Sequence, residues 1–360
     1  KSLSQGQLMI RRFRRHKLAM GAIVVLVIFY TVALFAGFFA TANPVQRNSA
    51  YIYAPPMIPR FIDSEGNFHL RPFVYGLEST VDPDTWDRIY KPDHDEIYPI
   101  RFFVETDEYN LLGPINASRR LVGIESENQP LFLFGTDSLG RDVFSRVIHG
   151  TRISLSIGLV GVFLSLVLGL LIGGVSGLLS GGVDLVIQRI IEILISIPQI
   201  PFWMALSASL PAHWSPIQTY FAITVLLSLL GWTQVARVVR GKFLSLREID
   251  FVSASIAMGA NDFWVIVKHL IPNFFSYVLV TITLTIPAMI LGETALSFLG
   301  IGLRPPVVSW GVLLQQAQNM RTVAMRPWLL VPGIFVIIAV MAFNFVGDGL
   351  RDAADPYSSK

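Results

Sequence analysis

Six long apolar runs recur along this chain of 360 residues, near 18–40, 153–179, 185–210, 216–236, 274–299 and 328–347. No other feature constrains its fold as strongly. A helix needs about 20 apolar residues to cross about 30 Å of hydrocarbon. A backbone in lipid must also satisfy its own hydrogen bonds, which a helix does. The expectation is an all-α polytopic membrane protein with six transmembrane helices. Composition agrees, with 52% hydrophobic and only 15% charged residues. The chain has no cysteine, so disulfides, thiolate metal sites and a cysteine nucleophile are excluded. A net charge of +3 gives no footprint for nucleic acid.

Charge placement sets an orientation. Arg11, Arg12, Arg14, Arg15 and Lys17 precede an uncharged run from Leu18 to Ala42. Ala40-Thr41-Ala42 resembles a signal cleavage site. The run, however, is well beyond the roughly 7–15 residues of a signal sequence, so it reads as a retained first helix. The positive-inside rule puts this end in the cytoplasm. Six spans then return the C-terminus, with Arg351 and Lys360, to the same side. The loop 237–272, with Arg237, Arg240, Lys242, Arg247 and Lys268, also falls inside. Arg304, Arg321 and Arg326, in the last outer loop, run against the rule.

The chain divides into three parts. Residues 1–43 hold the basic segment and first span, 44–134 form a polar extracytoplasmic insert between helices 1 and 2, and 135–360 form a five-helix core. The insert carries 14 acidic and 8 basic residues, a net of −6. It reads either as a small outer-face domain, with a short strand over Ile100–Glu105, or as a long, partly ordered loop. In the second span Gly169, Gly173 and Gly177 recur at four-residue spacing. That spacing lines one helix face with small residues and lets another backbone approach closely, which drives association in lipid. Pro198, Pro201, Pro287 and Pro332 fall within or beside spans and mark sites of bending.

Two polar segments carry more information. Gly135-Thr-Asp-Ser-Leu-Gly-Arg-Asp142 leads into a stretch with Val143, Phe144, Val147 and Ile148 on one helical face. Arg141, Asp142, Ser145, Arg146 and His149 take the other face. Thr136 or Asp137 would cap this helix by accepting backbone N–H groups. The pattern suits an amphipathic helix lying at the membrane surface or a plain surface helix in a loop, which periodicity alone does not separate. In the inner loop, the slim segment around Ser253, Ala254, Ser255 and Ala257 precedes Gly259, an apolar stretch 263–267 and Pro272. This predicts a helix, a bend and a second helix, able to dock in a partner's groove or to lie on the membrane.

The inner loop resembles the coupling loop of ABC importer permeases, where a Gly is followed thirteen residues later by a Pro. Gly259 and Pro272 match that spacing. Ser253-Ala254-Ser255 stands at the family's Glu-Ala-Ala, so only Ala254 agrees there, and Glu248 and Asp250 are the nearby acids. Gly135–Val143 with Gly150-Thr-Arg-Ile-Ser154, and Glu293–Gly302 with Ser309-Trp310-Gly311, are similar to the "C" permease type of the dipeptide/oligopeptide (peptide/opine/nickel) branch. The resemblance covers the first span and 135 to about 355. It implies a type I importer permease of a bacterial inner membrane, non-catalytic, forming half of a translocation pathway, with peptides as the suggested cargo, although relatives of this type also carry nickel, opines or sugars. It implies a second homologous permease, two cytoplasmic ATPases that hold the ATP and Mg, and an extracytoplasmic binding protein. Asp250, Ser253, Ala254, Ser255, Gly259 and Pro272 would then transmit ATPase movement.

Ionisable residues in spans supply the remaining candidates. An unpaired charge inside a span costs about 2.5–3.5 kcal/mol on insertion scales. Glu192 lies well inside the third run, and Arg189, three residues before it, is a ready partner. The pair reads either as structural or as a pathway or gating element. Glu293 falls about nineteen residues into the fifth run, near the outer surface, where it would be wet. His69, Asp93, His94, Asp95 and Glu96 lack the spacing of a dedicated metal site. No Gly-x4-Gly-Lys-Ser/Thr, His-Glu-x-x-His or Gly-x-Ser-x-Gly occurs, which disfavours nucleotide binding and enzymatic activity in this chain. The rival from another class is an ion-gradient-driven secondary transporter, expected to show internal repeats and intramembrane ion-site residues. A third reading, a membrane-anchored binding protein, would need one span rather than six.

Overall fold

A computed structural model describes residues 5–84, 86–112, 115–126, 129–179, 181–211, 213–247, 258–259 and 271–354. A short basic helix α1 (Gln5–Phe13) precedes α2 (Lys17–Leu34) and α3 (Ala36–Phe39). Five strands follow: β1 (Arg60–Ile62), β2 (Phe68–Val81), β3 (Arg88–Pro99), β4 (Arg101–Leu112) and β5 (Ile115–Gly123). The remaining long helices are α4 (Val143–Leu179), α5 (Gly181–Ser196), α6 (Gln199–Ala208), α7 (Pro216–Arg247) and α8 (Ile271–Phe298). Two short helices, α9 (Trp310–Leu314) and α10 (Met320–Met325), lead to α11 (Val331–Ala354).

Among the described residues, five helices are long and apolar enough to cross a membrane, or six when the bent pair α5–α6 counts as one span. These match the six apolar runs of the sequence. The run 185–210 differs in detail, because its two helices meet at 87°. Pro198 stands at the break and explains it. A proline disfavours helical geometry in the residue before it, and it offers no N–H to the helix that precedes it. Pro287 sits inside α8, and Pro332 in the first turn of α11, where a missing N–H has no partner to lose.

The chain folds as two compact units. One comprises Lys1–Val27, Ser156–Leu296 and Ile337–Lys360, and the other Ile28–Leu155 and Ser297–Val336. In the first, Val235, Val239, Phe243 and Val278 form one buried cluster, and Ile191, Trp232 and Ala236 form another. In the second, the five strands fall between Arg60 and Gly123, inside the insert read over 44–134. An antiparallel sheet has the order β1-β2-β3, and β4 and β5 make a separate hairpin. Ala54, Met57, Val74, Ile100, Leu131 and Phe132 close a small core beneath them. The short strand read over Ile100–Glu105 is the beginning of the longer β4.

Candidate functional site

Gly135–Asp142 folds into a tight turn ahead of α4. Gly135 and Gly140 adopt φ of +71° and +69°, a left-handed conformation in which a side chain is strained. At Gly140 a Cβ would also collide with the Asn48 carbonyl. Thr136 accepts from the Ala54 N–H at 2.7 Å and donates to the Tyr51 carbonyl at 2.5 Å. Asp137 accepts from the Leu139 and Arg141 N–H groups at 2.8 and 3.0 Å. Its second oxygen takes the Arg141 Nε at 2.8 Å, the Arg146 guanidinium and the Gln316 amide at 3.3 Å.

The cap of α4 is Asp142, not Thr136 or Asp137. Its carboxylate accepts from the Ser145 N–H at 2.8 Å, the Ser145 hydroxyl at 2.5 Å and the Thr41 hydroxyl at 2.8 Å. Burial pushes its pKa up, against the hydrogen bonds from Ser145 and Thr41 that pull it down. Ser145 in turn accepts from the Ala42 N–H at 2.8 Å, tying the segment after the first span to the head of α4. Trp310 donates through its backbone to Ser154 Oγ at 3.0 Å and through its indole to the Val147 carbonyl at 3.2 Å. Two motifs far apart in the chain, 135–154 and 309–311, thus meet in one knot.

The expected amphipathic surface helix is not formed. Val143–Ile148 belongs to α4, which continues unbroken to Leu179. Its polar face is interior, with Arg146 only 1% exposed and Ser145 fully buried. Periodicity detected the two faces correctly but could not register that Asp137 and Gln316 supply partners for the polar one. A buried guanidinium is tolerable when a carboxylate faces it.

Within the other unit, the glycine face of α4 packs on α7. A Cβ on Gly169 would stand 2.5 Å from the Val235 side chain, one on Gly173 2.5 Å from the Ala236 carbonyl, and one on Gly177 2.6 Å from Phe243. Asp184 of α5 binds Arg240 of α7 through two hydrogen bonds of 2.5 and 2.6 Å, and also accepts from Ser176 of α4 at 2.5 Å. This clamp joins three helices at the end of α7 that runs into residues 248–270. Sequence reading missed it. The available signal was a lone acid, Asp184, following an uncharged stretch.

Arg189 and Glu192 do pair, at 2.8 Å, one turn apart on an exposed face of α5. Glu293 differs from expectation. It is fully buried rather than wet, because the α8 face beside it packs tightly, with Gly292 against Leu227 and Trp203. Of the coupling-loop candidates, Asp250, Ser253, Ala254 and Ser255 lie outside the described residues. Gly259 occupies a turn with φ +85° and open space around it, and Pro272 is the second residue of α8. Among the described residues no group of three His, Asp or Glu side chains is placed to hold a metal. His69 instead contacts Asp63 at 2.9 Å, and His94 packs against the Tyr75 ring.

Comparison with known proteins adds a family match. Residues 165–359 match the binding-protein-dependent transport system inner membrane component, and residues 4–56 match the N-terminal TM domain of oligopeptide transport permease C. The chain is 42% identical over 224 residues to the oligopeptide transport system permease protein OppC of Haemophilus influenzae, covering 62% of this chain and 70% of that one. It is 39% identical over 225 residues to the dipeptide transport system permease protein DppC of Bacillus subtilis, covering 62% and 68%. Among solved structures, an inward-facing MetNI methionine ABC transporter chain aligns with a TM-score of 0.45 at 21% identity, covering 57% of this chain and 95% of that one.

Proposed function

The chain belongs to the family of binding-protein-dependent transport system inner membrane components, and from that membership we propose that it forms half of the pathway by which an ABC importer carries peptides inward. The match over residues 165–359 is the observation that carries this reading. Peptide cargo is supported by the relatives, an oligopeptide and a dipeptide transport permease. None of them supports a gradient-driven transporter.

The partners are a second, homologous permease, two cytoplasmic ATPases holding ATP and Mg, and an external binding protein. Both termini face the cytoplasm and the insert 44–134 faces outward, as the basic clusters at 11–17 and 237–247 favour. Residues 250–272 receive the ATPase movement. Gly259, in its left-handed turn, is the bend of that loop, and the Asp184–Arg240 clamp carries displacement of the α7 end to α4 and α5. Arg189, Glu192 and Glu293 are the pathway or gating candidates.

Purification of the tagged chain in mild detergent, with mass spectrometry of co-eluting proteins, tests the assembly. Recovery of a second permease and Walker-motif ATPases is expected, whereas a stable chain eluting alone would favour the gradient-driven rival. Gly259→Val forces a β-branched residue into a positive φ and is expected to abolish ATP-driven peptide uptake while leaving membrane insertion intact. Full uptake by a well-expressed variant would remove the loop from the mechanism.

A further inference from the structure

Two membrane helices meet at their charged ends inside the unit formed by Lys1–Val27, Ser156–Leu296 and Ile337–Lys360. The first span, α2, carries no charge after Lys17, and α11 carries none before Asp348. Gly349 of α11 sits on Ala19 of α2. A Cβ on that glycine would collide with the Ala19 side chain and stand 3.1 Å from the Phe13 ring. Lys17 and Asp348 each lie within two residues of this contact. A helix rises about 1.5 Å per residue, so both spans leave their apolar stretch at nearly one level.

The basic helix α1 is built into this junction rather than trailing from it. Phe13, its last residue, is buried against Gly349. His16 then caps α2: its Nδ1 accepts from the Ala19 N–H at 3.1 Å, and its Nε2 lies 3.7 Å from Asp352 of α11. The cations between and beside these anchors point outward. Arg11, Arg12, Arg14, Arg15 and Lys17 are all exposed, as is Arg351 in the last turn of α11. Across 5–17 and 347–354 these six cations meet only two carboxylates, Asp348 and Asp352. Like charges so close would spread apart on a free tail, whereas here Phe13 and His16 hold them together. Leu18, the next residue, begins the apolar surface of the span and is 63% exposed. The cluster therefore stands at the edge of the hydrocarbon, within reach of lipid phosphates, since charges interact over about 8 Å at physiological salt. A planar guanidinium matches phosphate oxygens with two parallel hydrogen bonds.

We propose that the junction of α1, α2 and α11 is a binding site for anionic phospholipid, with Arg11, Arg14, Arg15, Lys17 and Arg351 on the headgroup and Leu18 against the acyl chains. The positive-inside rule concerns the side on which such residues are left during insertion. A cluster locked between two helices does more, because it presents its charge in one place to one ligand. A headgroup bound there bridges the start of α2 and the end of α11 and fastens α1 to both. Juxtamembrane basic clusters are drawn to anionic leaflets in this way, and the attraction weakens with salt. The site depends neither on the cargo nor on which leaflet the junction faces.

The chain has no cysteine, so a single label can report on this junction. Ile10, 56% exposed on α1, is changed to Cys and labelled with a fluorophore in the full chain, purified with whatever subunits accompany it. The protein is reconstituted in phosphatidylcholine vesicles holding matched small amounts of phosphatidylglycerol or phosphatidylcholine, spin-labelled at the top of the acyl chain. Quenching by the phosphatidylglycerol probe is expected to be several-fold stronger. The excess should largely vanish at about 1 M salt, where the Debye length is about 3 Å. Arg11→Gln, Arg14→Gln and Arg15→Gln together should abolish it, while Lys at the same three positions should retain most of it. Equal quenching by the two lipids at low salt would overturn the proposal, as would an excess that survives high salt or the Gln replacements. Weak quenching by both would also overturn it, since a protein surface would then cover α1. The salt series needs no charge variant, so it decides the question even where the Gln replacements insert poorly.

Discussion

From Val143 to Ser154, α4 is held by polar groups. From Gly169 to Gly177 the same helix is held by missing side chains. The first stretch places Asp142, Ser145, Arg146 and Ser154 in a network in which each finds a partner. The second brings the backbones of α4 and α7 together until no room remains for a Cβ. The difference reflects the solvent each stretch answers to. Lipid rewards no apolar side chain for leaving it, so close backbone packing supplies the association there. Near the membrane boundary, polar groups can form before burial, and a satisfied network fixes one arrangement. The two mechanisms should fail differently when broken.

The largest effect is expected from Asp137→Ala. It leaves Arg141 and Arg146 facing each other, with Arg146 almost wholly buried. Removing one member of a buried pair costs about 3–5 kcal/mol. A large fall in thermal stability and yield in detergent should follow, and Asp137→Leu combined with Arg146→Met should recover much of it. Failure of the single variant to destabilise would mean that the knot is not what holds the head of α4.

Gly173→Val tests the other mechanism. Its side chain would meet the Ala236 carbonyl, a backbone atom that cannot rotate away. Overpacking typically costs about 1–3 kcal/mol. A clear loss of thermal stability is expected, while Gly182→Ala, with nothing within 4 Å, should stay near neutral. Equal effects at the two positions would argue against a seam.

The smallest effect is expected far from both, at the β1–β2 turn. Hydrogen bonding with His69, foremost, and with Asn67 and Glu65 lowers the Asp63 pKa from 3.8 to about 2. A depressed value in the folded state means that the stabilisation is complete above the ordinary carboxylate range and is lost as pH falls through about 2. The protection factors of residues 60–72, hydrogen–deuterium exchange corrected for the intrinsic rate at each pH, should therefore hold at pH 4 and fall toward pH 2. In Asp63→Asn the protection should be lower at neutral pH and show no such acid step.

The sequence was most legible where structure is local. All six runs appear as spans or as a bent span, and the Gly169-Gly173-Gly177 spacing led directly to a close helix contact. The insert was half legible. Its strands were visible only as Ile100–Glu105, because extended hairpins carrying many exposed charges lack a clean alternation of apolar and polar residues. The motif at 135–154 was seen as a polar segment, yet its burial and its cap were misjudged. Glu293 was misplaced for the same reason, since depth along a helix says nothing about what packs beside it.

By itself, then, the sequence determined the number and order of the apolar runs, the seam on α4 and the family. Each depends on composition over about 20 residues or on spacing along one helix. Only the tertiary structure decided that Asp137 neutralises Arg146, that Trp310 closes on Val147 and Ser154, that Asp184 clamps Arg240, and that Arg152 donates to the Leu111 carbonyl. Those partners stand between nine and 163 positions apart. A polar group's cost depends on what lies within a few ångströms of it, and sequence separation does not report that distance.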